Sequence, residues 1–526
     1  MIRTVTLDGS ITPAEIEQLA RGTARAQLSV CAWEKVARAH RTLGTLQGQS
    51  RPVYGLNTGF GPLVGESVAT RENEQLQSGL IDHLCAGAGP ALTREQVRAM
   101  MAVRIATLAR GHSGIRPELI ELLLHWLELD VVPEIPRAGT VGASGDLTPL
   151  AHLARALGGG GRVSVAGGDW EPAGAALERV GLAPITLTGR DALALVNGTA
   201  AMAGLACLNA ARARRAVKTA ALLGLAFNEV LGGARQAYDA RLGELRAHPG
   251  QQQLHDWLNR WAEESRRLRE PGEGAPQDPY TLRCQPQALG AVLDGIDFHE
   301  EILRRELIAV TDNPVLFTDP AEAVHGGNFY GQHVAMASDT LHTVVIKMAL
   351  ISERQIARIT DTTRNGELPA FLRGREAGFQ SGFMGAQVTA SSLLAELRSQ
   401  AVPASIQAVP TNGDNQDINT MGTLAARKVD EALNRLFEIQ AIGALTMAQG
   451  MDLVGKEGFS PATRRLQQRV RRLSPPLEAD RPLAEDIALL AADLAEPASE
   501  QELFGDLGEF GSPGTKADSA SGTATP

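Results

Sequence analysis

Residues 199–232, TAAMAGLACLNAARARRAVKTAALLGLAFNEVLG, read as one long helix: the stretch is rich in alanine, leucine and arginine and contains no proline. Residues 332–360 and 421–450 carry the same pattern. Helical patterns longer than about 25 residues point to long packed bundles or coiled coils, and small side chains let such helices approach closely. Aromatic residues make up only 4% of the chain, so alanine and the aliphatics must fill the core. Strand signals are short. One is Thr4–Leu7; the other is RVSVA at 162–166, which lies between Gly158–Gly161 and Gly167-Gly168 and reads as a small hairpin. The expected class is mainly α, with minor β in the N-terminal third. These segments alone describe a helical scaffold without chemistry.

The composition narrows the partners. Of 526 residues, 44% are apolar and 21% charged, enough for a large core. A net charge of -10 and the lack of a basic run of five or more residues argue against nucleic acid as a partner. Arg464, Arg465, Arg469, Arg471 and Arg472 are spaced as a solvated helix face. Cys31, Cys85, Cys207 and Cys284 are widely separated, so neither a zinc site nor a disulfide framework is expected, and reduced thiols fit a cytoplasmic home. The N-terminal MIRTVTLDGS has no apolar signal core. There is no run of roughly 18 uninterrupted apolar residues, so no membrane span is expected. The chain divides on this reading into an N-terminal domain at 1–198, a central and C-terminal helical bundle at 199–496 and a disordered tail at 497–526. The end of that tail, GSPGTKADSASGTATP, has too little apolar content to order itself.

Two glycine-rich segments interrupt the helices. GLNTGFGPLVG at 55–65 lacks the preceding strand and the acidic residue that a dinucleotide loop needs. It reads instead as a mobile loop whose glycines give backbone freedom. GTVGASGDLTPLAHL at 139–153 reads as a loop entering a helix, with Asp146 as the cap and Pro149 in the first turn. No His/Cys/Asp/Glu cluster has metal-ligand spacing, and His325 and His333 read as structural.

The string around Ala143-Ser144-Gly145 closely resembles the histidine/phenylalanine/tyrosine ammonia-lyase family. VYGLNTGFGPL (53–63), ALALVNGT (192–199), QDPYTLRCQPQ (277–287), AVTDNPV (309–315), HGGNFYGQHVA (325–335) and NQDINTMG (415–422) match family segments in the same order. The resemblance runs from about residue 10 to about residue 490. It implies a long-helix bundle of the ammonia-lyase/fumarase-like type, with a smaller N-terminal α+β part carrying the triplet. It also implies a homotetramer with active sites built from several subunits. The triplet would make its own cofactor, 4-methylidene-imidazol-5-one (MIO), with no external cofactor and no metal. In that chemistry the Gly145 nitrogen bonds to the Ala143 carbonyl carbon with loss of one water. Ser144 then loses its hydroxyl as a second water, leaving an exocyclic methylidene. Glycine leaves the attacking nitrogen unhindered, and alanine adds little bulk at the attacked residue.

The same resemblance implies roles for other residues. Tyr54 matches the loop tyrosine that acts as general base, which requires that its phenolate be favoured. Tyr280 would assist proton handling or orient the ring system. Arg283, three residues on and on the same face of a helical turn, would clamp the substrate carboxylate with its planar fork. Asn197 matches an asparagine beside the electrophile, and Asn313 and Phe329 match pocket residues, although Phe329 also reads as core.

The substrate is read from three places. IDHLCAGAGP (81–90) holds His83-Leu84. Histidine-specific members tend to show Ser-His there and phenylalanine-specific ones Phe-Leu, so His-Leu resembles the tyrosine pattern. An imidazole can hydrogen-bond a phenol hydroxyl, and a buried unmet hydroxyl is costly. The other reading of His83 is a satisfied core histidine. Next, Asn415-Gln416 reads like the phenylalanine and tyrosine enzymes, since histidine-specific members carry glutamate at Gln416. Third, the chain lacks the long extensions of plant phenylalanine enzymes. Asn57 departs from the threonine often seen in tyrosine enzymes and is also seen in histidine enzymes. The resemblance therefore implies deamination of an aromatic L-amino acid, with L-tyrosine to trans-4-coumarate and ammonium the leading reaction. Phenylalanine (giving cinnamate), histidine or dihydroxyphenylalanine as substrate, and a 2,3-aminomutase using the same electrophile, stay open. So does the choice between amine and ring attack on the electrophile. An inactive scaffold would predict damage in the triplet or the tyrosines, and the sequence shows none.

Overall fold

A computed structural model describes residues 2–47, 52–275, 277–374 and 379–505. The alanine-rich runs are helices, as the sequence predicts, at Ala200–Leu231, Gln332–Ile359 and Gly422–Val454, with a fourth long helix at Gln285–Glu306. The small residues serve close approach: a Cβ on Gly204 would lie 2.8 Å from the Met100 backbone nitrogen. Gln332–Ile359 is also long and apolar enough to cross a membrane by length and composition, with a mean hydropathy of 1.4, and 50% of that window is buried inside the protein. Core helices meet the same criteria.

The chain forms two compact units. The first is assembled from 1–211, 298–342 and 402–430, and the second from 212–297, 343–401 and 431 onward. The sequence places one linear boundary at 198/199, whereas these units are discontinuous because each of the four long helices contributes to both.

In the first unit the helix Arg94–Leu108 is buried at every position from Gln96 to Leu108. Its apolar residues share a core with Ile16, Leu19, Leu119, Leu123 and Trp126, while its buried Arg98 pairs with Asp130 and its buried Arg104 donates to Ala194 O. The helix Pro13–Arg21 starts in a capping box: Thr12 Oγ1 accepts from Glu15 N–H at 3.3 Å, and Glu15 Oε2 accepts from Thr12 N–H at 3.0 Å. Such a cap contributes about 1 kcal/mol. The strand expected at 4–7 lies at Arg3–Thr6, parallel to Ala24–Gln27. The expected 162–166 hairpin is Arg162–Val165, antiparallel to Glu171–Pro172 and to Val131–Pro133. Two further pairs escape sequence reading: Ala88–Ala91 with Pro136–Ala138, and Val315–Thr318 with Ala321–Val324. The last is a hairpin with Asn313 just before it and His325 just after it.

In the second unit Trp257 and Trp261 stack with centroids 5.7 Å apart, and Phe504 packs 5.3 Å from Trp261. Phe504 ends the helix Pro497–Phe504, and Arg469 donates both to Ser499 in that helix and to Asp493 in the preceding helix Ala484–Ala495, each at 2.6 Å. The sequence expects a disordered tail from residue 497. Its first 8 residues are helical instead, because Leu503 and Phe504 are buried. The rest of that expectation, at 506–526, lies outside the described residues. All four cysteines are free thiols.

Candidate active site

Gly142 (φ +71°) and Gly145 (φ +73°) adopt left-handed conformations that glycine takes at little cost. They fold Ala143-Ser144-Gly145 into a turn at the entrance to the helix Leu147–Leu157. Both flanks are pinned. Thr140 Oγ1 accepts from Gly142 N–H at 3.1 Å and donates to Gly145 O at 3.3 Å. Thr420 Oγ1 donates to Gly142 O at 3.1 Å, and Met421 N–H donates to Val141 O at 2.9 Å. Asp146 N–H donates to Gly198 O at 2.7 Å. A Cβ on Gly145 would lie 2.1 Å from that same oxygen, so no other residue fits.

Asp146 corrects the sequence reading. It sits at the N-cap of Leu147–Leu157 but, at φ −104° and ψ 55°, makes no side-chain cap to that helix. Its carboxylate instead accepts from Met202 N–H at 2.7 Å, in the first turn of Ala200–Leu231, and from the hydroxyl of Thr423 at the start of Gly422–Val454. Complete burial pushes its pKa up to about 6, against the opposing pull of the Thr423 hydroxyl and the Met202 and Ala201 amides. One carboxyl thus ties the starts of two long helices to the residue that follows the triplet.

Gln416 reaches the triplet directly. Thr411 Oγ1 donates to its Oε1 at 2.7 Å, which turns the amide nitrogen toward Ser144, where it donates to Oγ at 3.3 Å. Its neighbour Asn415 is exposed. Asn197 ends the helix Asp191–Val196 next to Gly198; it is 3% exposed, and its Oδ1 has no hydrogen-bond partner. A buried acceptor of this kind is open to a donor on a bound molecule. Arg104, which donates to Ala194 O in the same helix, is a fully buried cation whose pKa burial pulls down to about 10, with Asp312 as countercharge.

Tyr54 lies on a half-buried turn. Its hydroxyl oxygen accepts from Gly61 N–H at 2.9 Å, its ring meets Phe60 edge-on at 5.9 Å, and its own N–H donates to His325 Nε2 at 3.2 Å. Asn57 serves the same turn: its Oδ1 accepts from Val53 N–H at 2.7 Å. Asn313 is half-buried, and its Oδ1 accepts from Gly326 N–H at 2.9 Å. Phe329 is half-buried in the segment that follows. His83 is exposed in the last turn of Asn73–Leu84, and its Nδ1 bonds to Gly79 O at 2.9 Å, so its hydrogen bond goes to its own helix and not to the triplet. Leu84 packs on the core of the first unit.

Tyr280 and Arg283 belong to the second unit. They share the short helix Tyr280–Arg283, and the expected common face is real: the Arg283 guanidinium carbon lies 4.9 Å from the Tyr280 ring centre. Arg283 also donates to Asp278 O at 2.8 Å, while Tyr280 is 72% exposed.

Several site neighbours escape the sequence. Arg190 and Asp312 form a bidentate ion pair at 2.8 and 3.0 Å with both side chains fully buried, yet they are 122 residues apart and carry no local signal. The Tyr330 hydroxyl is buried without a partner, and burial together with Asp417 raises its pKa. It stands inside the HGGNFYGQHVA string, where a lone phenol is the only hint. Among the described residues no cluster of three or more His, Cys, Asp or Glu is arranged to hold a metal.

The residues fit an MIO group. The fit rests on the glycine-only space at 145, the serine hydroxyl held by Gln416 and the open acceptor of Asn197. The model of the aromatic amino acid lyase family matches residues 11–472, and the chain belongs to that family. It is 43% identical to the tyrosine ammonia-lyase of Cereibacter sphaeroides, over 94% of this chain and 97% of that protein. It is 42% identical to the histidine ammonia-lyase of Symbiobacterium thermophilum, over 93% and 96% respectively. Among solved structures, tyrosine aminomutase from Streptomyces globisporus matches with a TM-score of 0.90 at 32% identity, covering 97% of this chain and 99% of that one. Family and mainly helical fold are therefore those the sequence motifs imply.

Proposed function

We propose that the protein is a tyrosine ammonia-lyase that converts L-tyrosine to trans-4-coumarate and ammonium. The observation that carries the reading is the Ala143-Ser144-Gly145 turn, closed so tightly on Gly198 that only glycine fits at 145. An MIO group formed there supplies an electrophilic carbon that makes the substrate amine a better leaving group. In a site that the proposed tetramer builds from several subunits, Arg283 binds the substrate carboxylate through its fork, and the open Oδ1 of Asn197 accepts a hydrogen bond from the amine. Tyr54 removes the β-proton at its phenol oxygen, with Tyr280 assisting. Asn313, Phe329, Asn415 and Gln416 surround the substrate. In the net reaction the Cα–N bond and one Cβ–H bond break and a Cα=Cβ bond forms. The proton departs with the amine as ammonium.

Tyrosine is favoured by His83. With Nδ1–H committed to Gly79 O, Nε2 is left as an acceptor, the complement of a phenol O–H. A homotetramer is part of the proposal, supported by the large apolar side chains left uncovered on a single chain, among them Met336, Ile418 and Tyr280. Four free cysteines suit a cytoplasmic setting.

The test is product analysis after separate incubation with tyrosine, phenylalanine and histidine. 4-Coumarate as the fastest-formed product is expected. Turnover of histidine alone overturns the substrate, and accumulation of β-tyrosine makes the enzyme an aminomutase.

A further inference from the structure

Tyr54 is held at two atoms. Gly61 N–H reaches its phenol oxygen, and its own backbone N–H reaches His325 Nε2 at 3.2 Å. That nitrogen accepts only when the imidazole is neutral and its hydrogen sits on Nδ1. Partial desolvation and the nearby Arg190 cation both disfavour the protonated ring and favour the accepting form.

The position of the imidazole is itself anchored. His325 follows directly on the strand Ala321–Val324, whose partner Val315–Thr318 begins just after Asn313-Pro314. Gly326 N–H donates to Asn313 Oδ1 at 2.9 Å, and Asn313 N–H donates to Asp312 Oδ1 at 2.7 Å. Asp312 in turn receives both ends of the Arg190 guanidinium, which also donates to Ser113 O at 2.7 Å. A planar, fully buried bidentate pair leaves little freedom of orientation. Its rigidity passes through the end of the hairpin to the imidazole and so to the Tyr54 amide. The loop is also pressed against the helix Asp191–Val196, where a Cβ on Gly55 would lie 2.3 Å from Leu193 Cδ2.

We propose that His325 is a positioning residue for the reaction: its neutral Nε2 holds the backbone of Tyr54 so that the phenol oxygen meets the substrate β-carbon. This rests on the reading of Tyr54 as the base. The Tyr54 loop is rich in glycine and would otherwise sample many conformations. A displacement of about 1 Å at a catalytic group costs up to roughly 100-fold in rate.

The experiment compares His325→Gln, whose side-chain oxygen can replace the Nε2 acceptor, with His325→Leu, which has no acceptor. His325 is exposed, so neither change opens a cavity in the core. The expected result is a kcat roughly 10- to 100-fold lower in His325→Leu with KM changed little, and most of the loss recovered in His325→Gln. Amide hydrogen exchange of the peptide containing Tyr54 should quicken in His325→Leu alone. A His325→Leu enzyme within twofold of wild type, or glutamine and leucine variants that lose activity equally, would overturn the proposal. Tyr54→Phe is measured alongside. Full turnover there removes the base assignment, while the exchange data still decide whether His325 holds the loop.

Discussion

Gly145 and Gly198 are in such close contact that a methyl group on Gly145 would stand 2.1 Å from the Gly198 carbonyl oxygen. Gly145 also has φ +73°, a conformation that costs an L-residue roughly 1–2 kcal/mol. Both constraints fall on the residue whose nitrogen would close the proposed MIO ring. Gly145→Ala is therefore expected to lower the melting temperature. Its intact mass should equal that of the sequence, with no water lost, whereas the wild type should be lighter by two waters at 143–145. A Gly145→Ala protein of normal stability that loses both waters would refute the close contact.

Ser144→Ala separates electrophile from fold. Ser144 is half-buried, and its hydroxyl receives a single long hydrogen bond from Gln416 at 3.3 Å. The loss in stability should stay within about 1 kcal/mol. Alanine has no hydroxyl to eliminate, so the methylidene cannot form. Measured against enzymatic accelerations of about 10⁶-fold or more, turnover should drop below roughly a thousandth of wild type with an unchanged circular dichroism spectrum. Normal turnover in this variant would remove the triplet from the chemistry.

Tyr54→Phe keeps the ring that meets Phe60 edge-on and removes the oxygen to which Gly61 N–H donates. Removal of a general base costs typically 10²–10⁴-fold. We expect kcat to fall by about that factor while KM moves only a few-fold. Steady-state kinetics on the preferred substrate decide it, and a variant with wild-type kcat makes Tyr280 the next candidate.

What the sequence disclosed follows from physical demands made locally. Ala143-Ser144-Gly145 alone reads as a loop entering a helix; it points to ring closure only through the resemblance of the strings around it to the ammonia-lyase family. Long helices need uninterrupted helix formers, and 199–232 became Ala200–Leu231 almost to the residue. What stayed hidden depends on partners far apart in the chain. Asp146 looks like the cap of its own helix, but its carboxyl finds Met202 and Thr423, which only the fold brings near. The Arg190–Asp312 pair spans 122 residues. His325 reads as an isolated structural histidine until its contact with the Tyr54 amide, 271 residues away, is known. His83 lies between these cases: its residue type suggests a phenol acceptor, and its exposure excludes the core-histidine reading.

Asp146 makes a prediction about pH. Burial raises its pKa from 3.8 to about 6, so the fold favours the protonated carboxyl. The stability this group contributes is complete below about pH 4 and is lost as pH rises through about 6. A shift of about two units corresponds to an order-of-magnitude change of about 3 kcal/mol. Asp146→Asn cannot ionise. Unfolding of wild type and Asp146→Asn should therefore diverge in their pH dependence between about pH 4 and pH 6.5, with wild type losing ground as pH rises. Parallel curves would place the ionisation of Asp146 elsewhere.

The proposed preference for tyrosine rests on His83. Its Nδ1–H is committed to Gly79 O at 2.9 Å, so in the neutral ring Nε2 is the atom left to accept. A tyrosine substrate offers an O–H at the far end of its ring; phenylalanine offers carbon. In His83→Phe the phenol hydroxyl loses its acceptor, a cost of about 1–3 kcal/mol. A phenylalanine ring would instead gain an apolar wall. These effects act oppositely on the two substrates, so kcat/KM should reverse in favour of phenylalanine, changing the ratio by roughly 10- to 1,000-fold. The triplet is untouched, and the variant should keep the mass loss of two waters and stay active on at least one of the two. Competition between tyrosine and phenylalanine, with both cinnamate and coumarate quantified, reads the ratio directly. Equal loss on both substrates would make His83 a residue of helix packing, since its bond to Gly79 O would then be its whole contribution.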